Sequence, residues 1–310
     1  MQIKYPLLID GGLSNELEKQ GHDLNHKLWS ARLLAENPEA IVMAHLAYLE
    51  AGARCITSSS YQASLAGLMA DGHDRAGAEA LILRSVELAE AAVQRFTASG
   101  FNGDKPLIAA SVGPYGAYLA DGSEYRGNYG ISGEGLREFH LPRIRILDRS
   151  NADFFACETI PDFQEARVLA EILLETIKPA WISFSCKDYG HLNDGSAIEE
   201  CAAFFSDHPN VFAIGINCTA PGYVSGLIES IKPKSGSKKI VVYPNSGEVY
   251  RADSKTWIGL SDPDSFNEMA TEWLEAGADI IGGCCRIGPG HIESMSRLSL
   301  FQNSEKPGLE

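Results

Sequence analysis

Apolar residues along this chain follow two alternating patterns. Eight short runs, LLIDGG, RCITSSS, LIAASVG, FFACETI, WISFSC, FAIGINC, IVVYPNS and IIGGCC, are rich in β-branched and other apolar side chains and are bounded by Gly, Pro or polar residues. Such runs predict strands buried on both faces of a parallel sheet. Between them, over 38–51, 75–97, 135–149, 162–177 and 263–276, apolar residues recur on one face at helical spacing, which predicts amphipathic helices. From Asp10 to Cys284 the strand ends span 274 residues in seven intervals of about 39, room for one strand, one helix and two loops each.

The order is therefore βαβα throughout. Twice, at Glu50 to Ala53 and Glu275 to Ala278, the string EAGA sits between a helix and the next strand, and its glycine suits a left-handed helix C-cap. Eight strands without a GxGxxG dinucleotide fingerprint favour closure into a single (β/α)8 barrel over a doubly wound sheet. One barrel domain is expected over residues 1–310, with a frayed tail from Asn303 to Glu310. The basic stretch KPKSGSKK, Lys232 to Lys239, reads as a solvated loop before strand seven.

Composition narrows the function. Of 310 residues, 45% are hydrophobic and 22% charged, as in an ordinary globular protein with a sizeable core. The formal net charge of -15 opposes binding to nucleic acid or to anionic membrane surfaces. No apolar run is long enough to span a bilayer, and the start MQIKYPLLIDGG lacks the features of a signal peptide. A cytoplasmic protein is expected. Seven cysteines, an odd number without an export signal, then read as reduced thiols rather than a disulfide framework.

Barrel chemistry collects at the C-terminal strand ends, and three cysteines stand there: Cys218 closes strand six in GINC, and Cys284 and Cys285 close strand eight in GGCC, where Gly282 and Gly283 allow close backbone approach. Three soft thiolates suit a tetrahedral Zn2+ with one open position. With three thiolates the centre is a weak Lewis acid but a good place to hold a fourth sulfur as thiolate, ready to attack an activated methyl group. Cys55, Cys157 and Cys201 read as small core hydrophobes. Cys186 ends strand five, and spacing alone leaves it open as a ligand or a spare thiol. CxxC spacing, which would favour a redox or iron–sulfur role, is absent.

With GINC and GGCC as its specific marks, the chain resembles the homocysteine S-methyltransferase family over nearly its whole length, from LLIDGG to IIGGCC. The resemblance implies a barrel in which Cys218, Cys284 and Cys285 bind zinc and the zinc binds the sulfur of homocysteine, giving methionine after methyl transfer. Cys186 has no place in that pattern. SVGPYGAYLADGSEYRG and VVYPNSGE resemble the bacterial and plant branch that takes methyl from S-methylmethionine or S-adenosylmethionine. The chain lacks the long C-terminal extension of betaine-using relatives, and 310 residues leave no room for the folate and cobalamin modules of methionine synthase. DGHDRAG, from Asp71, has Ala76 where a cobalamin DxHxxG motif needs Gly, and it reads as a loop.

Homocysteine also needs its ammonium and carboxylate oriented. Asp10 and Glu158 end strands one and four, where a carboxylate could bind the ammonium; the resemblance gives them this part, with Gly11 and the loop around Ser58 supplying backbone contacts. Asn217 should point away from Cys218 in a regular strand, so it is either a core hydrogen bonder or a residue turned inward by a bulge. Asn245 and Glu248, after strand seven, are candidates for the donor pocket. The loop 114–129 carries Tyr115, Tyr118, Tyr125 and Tyr129 with Asp121 and Glu124, aromatic faces and carboxylates that a sulfonium cation would favour; aromatic packing is the alternative. No histidine ends a strand beside the cysteines, and His140 reads as helix packing. Two rival classes remain. A phosphate-binding barrel lyase or isomerase would need a basic strand end, for which only Lys187 and Arg286 stand near, and a zinc- or thiol-binding protein would share the ligands without turnover.

Overall fold

In the computed structural model, which describes residues 3–24, 28–251, 256–258 and 262–303, the eight apolar runs become eight parallel strands. These are β1 (Leu7–Leu8), β2 (Cys55–Thr57), β3 (Leu107–Val112), β4 (Phe154–Ile160), β5 (Ala180–Phe184), β6 (Val211–Asn217), β7 (Lys239–Tyr243) and β8 (Ile280–Ile281). They pair in the order β1-β8-β7-β6-β5-β4-β3-β2. A parallel bridge from Ile9 to Cys55 joins the two ends, with Asp10 N donating to Cys55 O at 3.1 Å, so the sheet closes into the expected barrel. Around it run α1 (Pro38–Glu50), α2 (Arg75–Ala98), α3 (Gly133–Asp148), α4 (Phe163–Leu173), α5 (Ile198–Phe205), α6 (Val224–Ile231), α7 (Pro263–Ala276) and α8 (Pro289–Ser296).

Strands buried on both faces still alternate with period two, and that alternation builds the site's floor. Leu8, Ile56, Ile108, Phe155, Ile182, Ile214, Val242 and Ile281 face outward, in the large cluster shared with the helices. Leu7, Ile9, Ala109, Phe154, Trp181, Ala213, Val241 and Ile280 form a separate cluster that plugs the barrel interior. Higher in the same inward files the residues turn polar, to Ser111, Glu158, Ser183, Asn217 and Tyr243. The apolar plug fills the bottom, and the polar groups lie toward the opposite end, where a cavity opens.

Capping sets the helix ends. Asp74, Ser132, Asp162 and Asp262 each accept from a backbone N–H in the first turn of the helix that follows, which starts α3 at Gly133, before its apolar periodicity begins. Helix α4 stops at Leu173 rather than continuing to residue 177. Ile177 N and Lys178 N donate to the Asp148 carboxylate, each at 3.1 Å, and so leave the helical path. Gly52 and Gly277 of the two EAGA strings have φ of 110° and 117°, the left-handed turns their spacing predicts. The DGHDRAG segment is a turn up to His73, after which Asp74 caps α2. The basic stretch is more than a solvated loop: Lys232 Nζ donates to Ala276 O at 3.0 Å, Lys238 Nζ to His208 O at 2.6 Å, and Lys239 pairs with Asp279 at 2.8 Å. A short antiparallel hairpin, Val249–Arg251 with Thr256–Ile258, follows β7. Asn303 ends a last helix, Ser299–Asn303, and residues 304–310 lie outside the described residues.

Candidate active site

The three predicted cysteines meet at the barrel mouth. Their sulfurs lie within 4.8 Å of one another, with Cys218 Sγ 2.6 Å from Cys284 Sγ and 3.7 Å from Cys285 Sγ. Local backbone explains the convergence. Cys218 follows Asn217, which already points inward, and strict alternation would send the cysteine outward; its φ of 48° rotates it back to the same side. A Cβ on Gly282 would lie 2.4 Å from the Ile9 side chain and one on Gly283 2.1 Å from Ile287, so Gly282 lets the end of β8 lie against β1 and Gly283 lets the loop that carries the two consecutive cysteines fold back on itself.

The donor set fits zinc. With metal–sulfur bonds of about 2.3 Å a tetrahedral edge would be about 3.7 Å, the Cys218–Cys285 spacing; Cys284, at 2.6 Å from Cys218, would have to move out by about 1 Å to join the set. Hydrogen bonds from Cys218 and Cys284 hold the Cys285 thiol well below its ordinary range, against the effect of burial. Donating to Cys218 and Cys285 holds Cys284 well above that range. Cys186, Cys55, Cys157 and Cys201 are buried in the two apolar clusters, and none joins the sulfur group.

A cavity of about 630 Å³ opens above the sulfurs, lined among others by Asp10, Gly11, Ser58, Glu158 and the three cysteines. Asp10 accepts from Thr57 N at 2.8 Å and from Thr57 Oγ1; burial pushes its carboxyl up to about 8, the negative charge of Glu158 adding to the effect. Burial likewise lifts Glu158 to about 7, although hydrogen bonds from Ser111 and Tyr243 pull it back. Both acids, each raised by burial, face one cavity, and among the described residues neither forms an ion pair. A Cβ on Gly11 would lie 2.3 Å from Ile287 O, so only glycine lets β1 pass this close beneath the cysteine loop. The Ser58 side chain is spent on structure, 2.7 Å from Ser60 Oγ and accepting from Ser111 N.

Asn217 resolves as a buried hydrogen bonder under the cysteines. Its Oδ1 accepts from Thr159 N at 2.6 Å and Ser183 Oγ at 2.9 Å, and its Nδ2 donates to Thr159 Oγ1 and faces Cys284 Sγ at 4.0 Å. It ties β4, β5 and β6 together. The tyrosine loop divides: Tyr115 and Tyr118 stack with Phe139, and Tyr129 stacks on Tyr115 while donating to Glu165, so these three pack as aromatics do in cores. Only Tyr125 reaches the site, its hydroxyl 3.8 Å from Cys218 Sγ and 4.0 Å from Cys285 Sγ. Glu124 lines the cavity, whereas Asp121 pairs with Arg126 at the surface. After β7, Asn245 lines the cavity, and Glu248 is used up on Arg286 at 2.9 Å. That pair removes Arg286 as a phosphate ligand, and Lys187 is exposed and does not line the cavity.

Sequence reasoning passed over Thr57, Tyr61, Ser111 and Tyr243, all of them cavity residues. Three of them could have been found by counting inward positions: Ser111 and Tyr243 continue inward files, and Thr57 ends one. His140 is more than packing. Its Nε2 donates to Glu165 Oε1 at 2.7 Å and its Nδ1 accepts from Arg143 at 2.9 Å, all three groups being buried.

A barrel that converges three thiols and two buried carboxylates on one cavity defines an enzyme that handles a sulfur-bearing amino acid. The chain belongs to the homocysteine S-methyltransferase family, matching it over residues 7–299, and is a methyltransferase. It is 47% identical over 297 residues to Homocysteine S-methyltransferase YbgG of Bacillus subtilis (strain 168), covering 94% of each chain. To Homocysteine S-methyltransferase 4 of Zea mays it is 47% identical over 302 residues, covering 94% of this chain and 88% of the maize protein. Its fold superposes on the metallated crystal structure of the Escherichia coli homocysteine methyltransferase MmuM with a TM-score of 0.85 at 42% identity, covering 94% of this chain and 96% of that one.

Proposed function

We propose that this protein transfers a methyl group from S-methylmethionine or S-adenosylmethionine to L-homocysteine, forming methionine, with Zn2+ held by Cys218, Cys284 and Cys285. The observation that carries the reading is the sulfur triad opening into the same cavity as the two carboxylates. Zinc held there by the three cysteines would supply the Lewis acidity that lowers the acceptor thiol's pKa, so no general base would be required. Asp10 and Glu158 hold the ammonium of homocysteine, and the backbone at Gly11 and Ser58 lies against the amino acid. Asn217 positions Cys284 rather than touching substrate. Tyr125 stands over the sulfurs at the mouth of the cavity. Seven unpaired cysteines support a cytoplasmic site of action, and among the described residues no helix is long and apolar enough to cross a membrane.

The test is methionine formation from homocysteine with S-methylmethionine, S-adenosylmethionine or betaine, before and after chelation. Product is expected with a sulfonium donor and not with betaine, lost on chelation and restored by added Zn2+. Absence of product with every donor would refute the activity, and an undiminished rate in metal-free protein would refute the mechanism.

A further inference from the structure

Buried polar atoms are normally hydrogen-bonded, and one left without a partner calls for a reason. Among the described residues, the buried side-chain oxygens without a partner include Ser59 Oγ, Gln62 Oε1, Glu124 Oε2 and Asn245 Oδ1, and all four belong to the wall of the catalytic cavity. Of these only Glu124 carries charge. Asp10 and Glu158, the other carboxylates of the cavity, are already held by Thr57 and by Ser111.

The placement of Glu124 is fixed by its backbone. It lies in the one-turn 3-10 helix Ser123–Tyr125. A Cβ on Gly116 would lie 2.4 Å from Glu124 N, so the loop packs at glycine distance, and Ser185 Oγ at the end of β5 donates to Glu124 O at 3.3 Å. The next residue, Tyr125, stands over the Cys218 and Cys285 sulfurs. Arg126 donates to Asp121 Oδ2 at 3.3 Å and Ser123 Oγ at 2.9 Å, and its charge offsets the burial of Glu124 only in part. Burial accordingly raises the Glu124 carboxyl above its ordinary range.

We propose that the Glu124 carboxylate is the counter-charge for the donor's sulfonium, so that the cavity selects a positively charged sulfur over the neutral thioether that transfer leaves behind. This deepens the proposed function and rests on it. In the transfer the acceptor thiolate's lone pair forms the new C–S bond, and the donor's C–S bond breaks with its electron pair remaining on the donor sulfur. The donor thereby loses its charge and its attraction to Glu124. Because the breaking bond still leaves positive charge on the donor sulfur in the transition state, the attraction is shared by the bound donor and the transition state, so it acts on donor affinity more than on the chemical step.

The experiment compares wild type, Glu124→Gln and Glu124→Asp in the zinc-loaded protein at saturating homocysteine, reading KM and kcat for S-methylmethionine and the competitive inhibition constant of methionine, its neutral thioether counterpart. Loss of the charge is expected to raise KM about tenfold, leave kcat within about twofold and leave methionine inhibition unchanged, with Glu124→Asp recovering most of the affinity. Equal weakening of the cation and the thioether would show that Glu124 only shapes the wall and would overturn the proposal, as would no change in either. Should the wild type turn over no donor, the proposed function falls separately. Calorimetric binding of S-methylmethionine against methionine to the same three proteins then decides the role of Glu124.

Discussion

Asp10 and Glu158 make the site sensitive to pH through their surroundings. Burial lifts them to about 8 and about 7, above the roughly 3.9 and 4.3 of free side chains. Between those limits the folded protein binds more protons than the unfolded chain, so these groups' contribution to stability falls as pH rises from about 4 through about 8. An incoming ammonium reverses the preference, because it favours the ionised carboxylates, and its binding releases protons. Methionine, which carries the same ammonium and no ionisable thiol, should therefore bind more tightly at pH 8.5 than at pH 6, and calorimetry in buffers of different ionisation heat should register the released protons. Asp10→Asn should flatten the upper part of this profile. A wild-type affinity that stayed level across the range would show that the two acids do not hold the ammonium.

At the scale of elements, the loop from β3 to α3 forms one side of the mouth, and a buried network fixes it. Glu165 Oε1 accepts from Tyr115 N at 2.6 Å and from His140 Nε2, and its Oε2 accepts from Tyr129 OH at 3.0 Å. Arg143 donates to Gly113 O at 2.6 Å and to Tyr61 O at 3.3 Å. Helices α3 and α4 thus grip the loop at both ends, leaving its middle to present Glu124 and Tyr125. Glu165→Ala strands three donors in a buried place, and a loss of about 3–5 kcal/mol in unfolding free energy is expected. Hydrogen exchange should rise over residues 115–129 while the strands stay protected; a rise spread evenly through the barrel would contradict a local anchor. This element was only half legible in the sequence. Its tyrosines and carboxylates stood out as types, but sorting Tyr125 and Glu124 from Tyr115, Tyr118 and Tyr129 depends on the glycine-distance packing at Gly116 and on Phe139, which no spacing rule contains. The strands were legible because each is built around a short, mostly apolar stretch, and the metal site because its three ligands end two such stretches. Asn217 was undecidable for a physical reason: the left-handed turn at Cys218 puts two consecutive residues on one side of β6, which alternation forbids.

At the scale of the whole molecule, the sulfur triad spans the sheet. Cys218 follows β6, Cys284 and Cys285 follow β8, and β7 lies between them, so a metal bound there ties together segments 66 residues apart in sequence. An ion that binds the folded barrel and finds no assembled triad in the unfolded chain adds its binding free energy to folding, about 4 kcal/mol at a thousandfold excess over its dissociation constant. For a chain of this size that corresponds to about 5–10 °C in Tm. Chelation should lower the wild-type Tm by that amount, and added Zn2+ should restore it. Cys284→Ser should melt at one temperature with or without chelator, whereas Cys186→Ala, which removes a sulfur packed outside the triad, should cost about 1 kcal/mol and keep the full chelator response. If Cys284→Ser still responded, the metal would be bound elsewhere; if Cys186→Ala did not, the fourth strand-end thiol would belong to the site after all. Because the same ligands would supply both the reactive position and this cross-link, loss of metal should be read in stability and in turnover at the same chelator concentration.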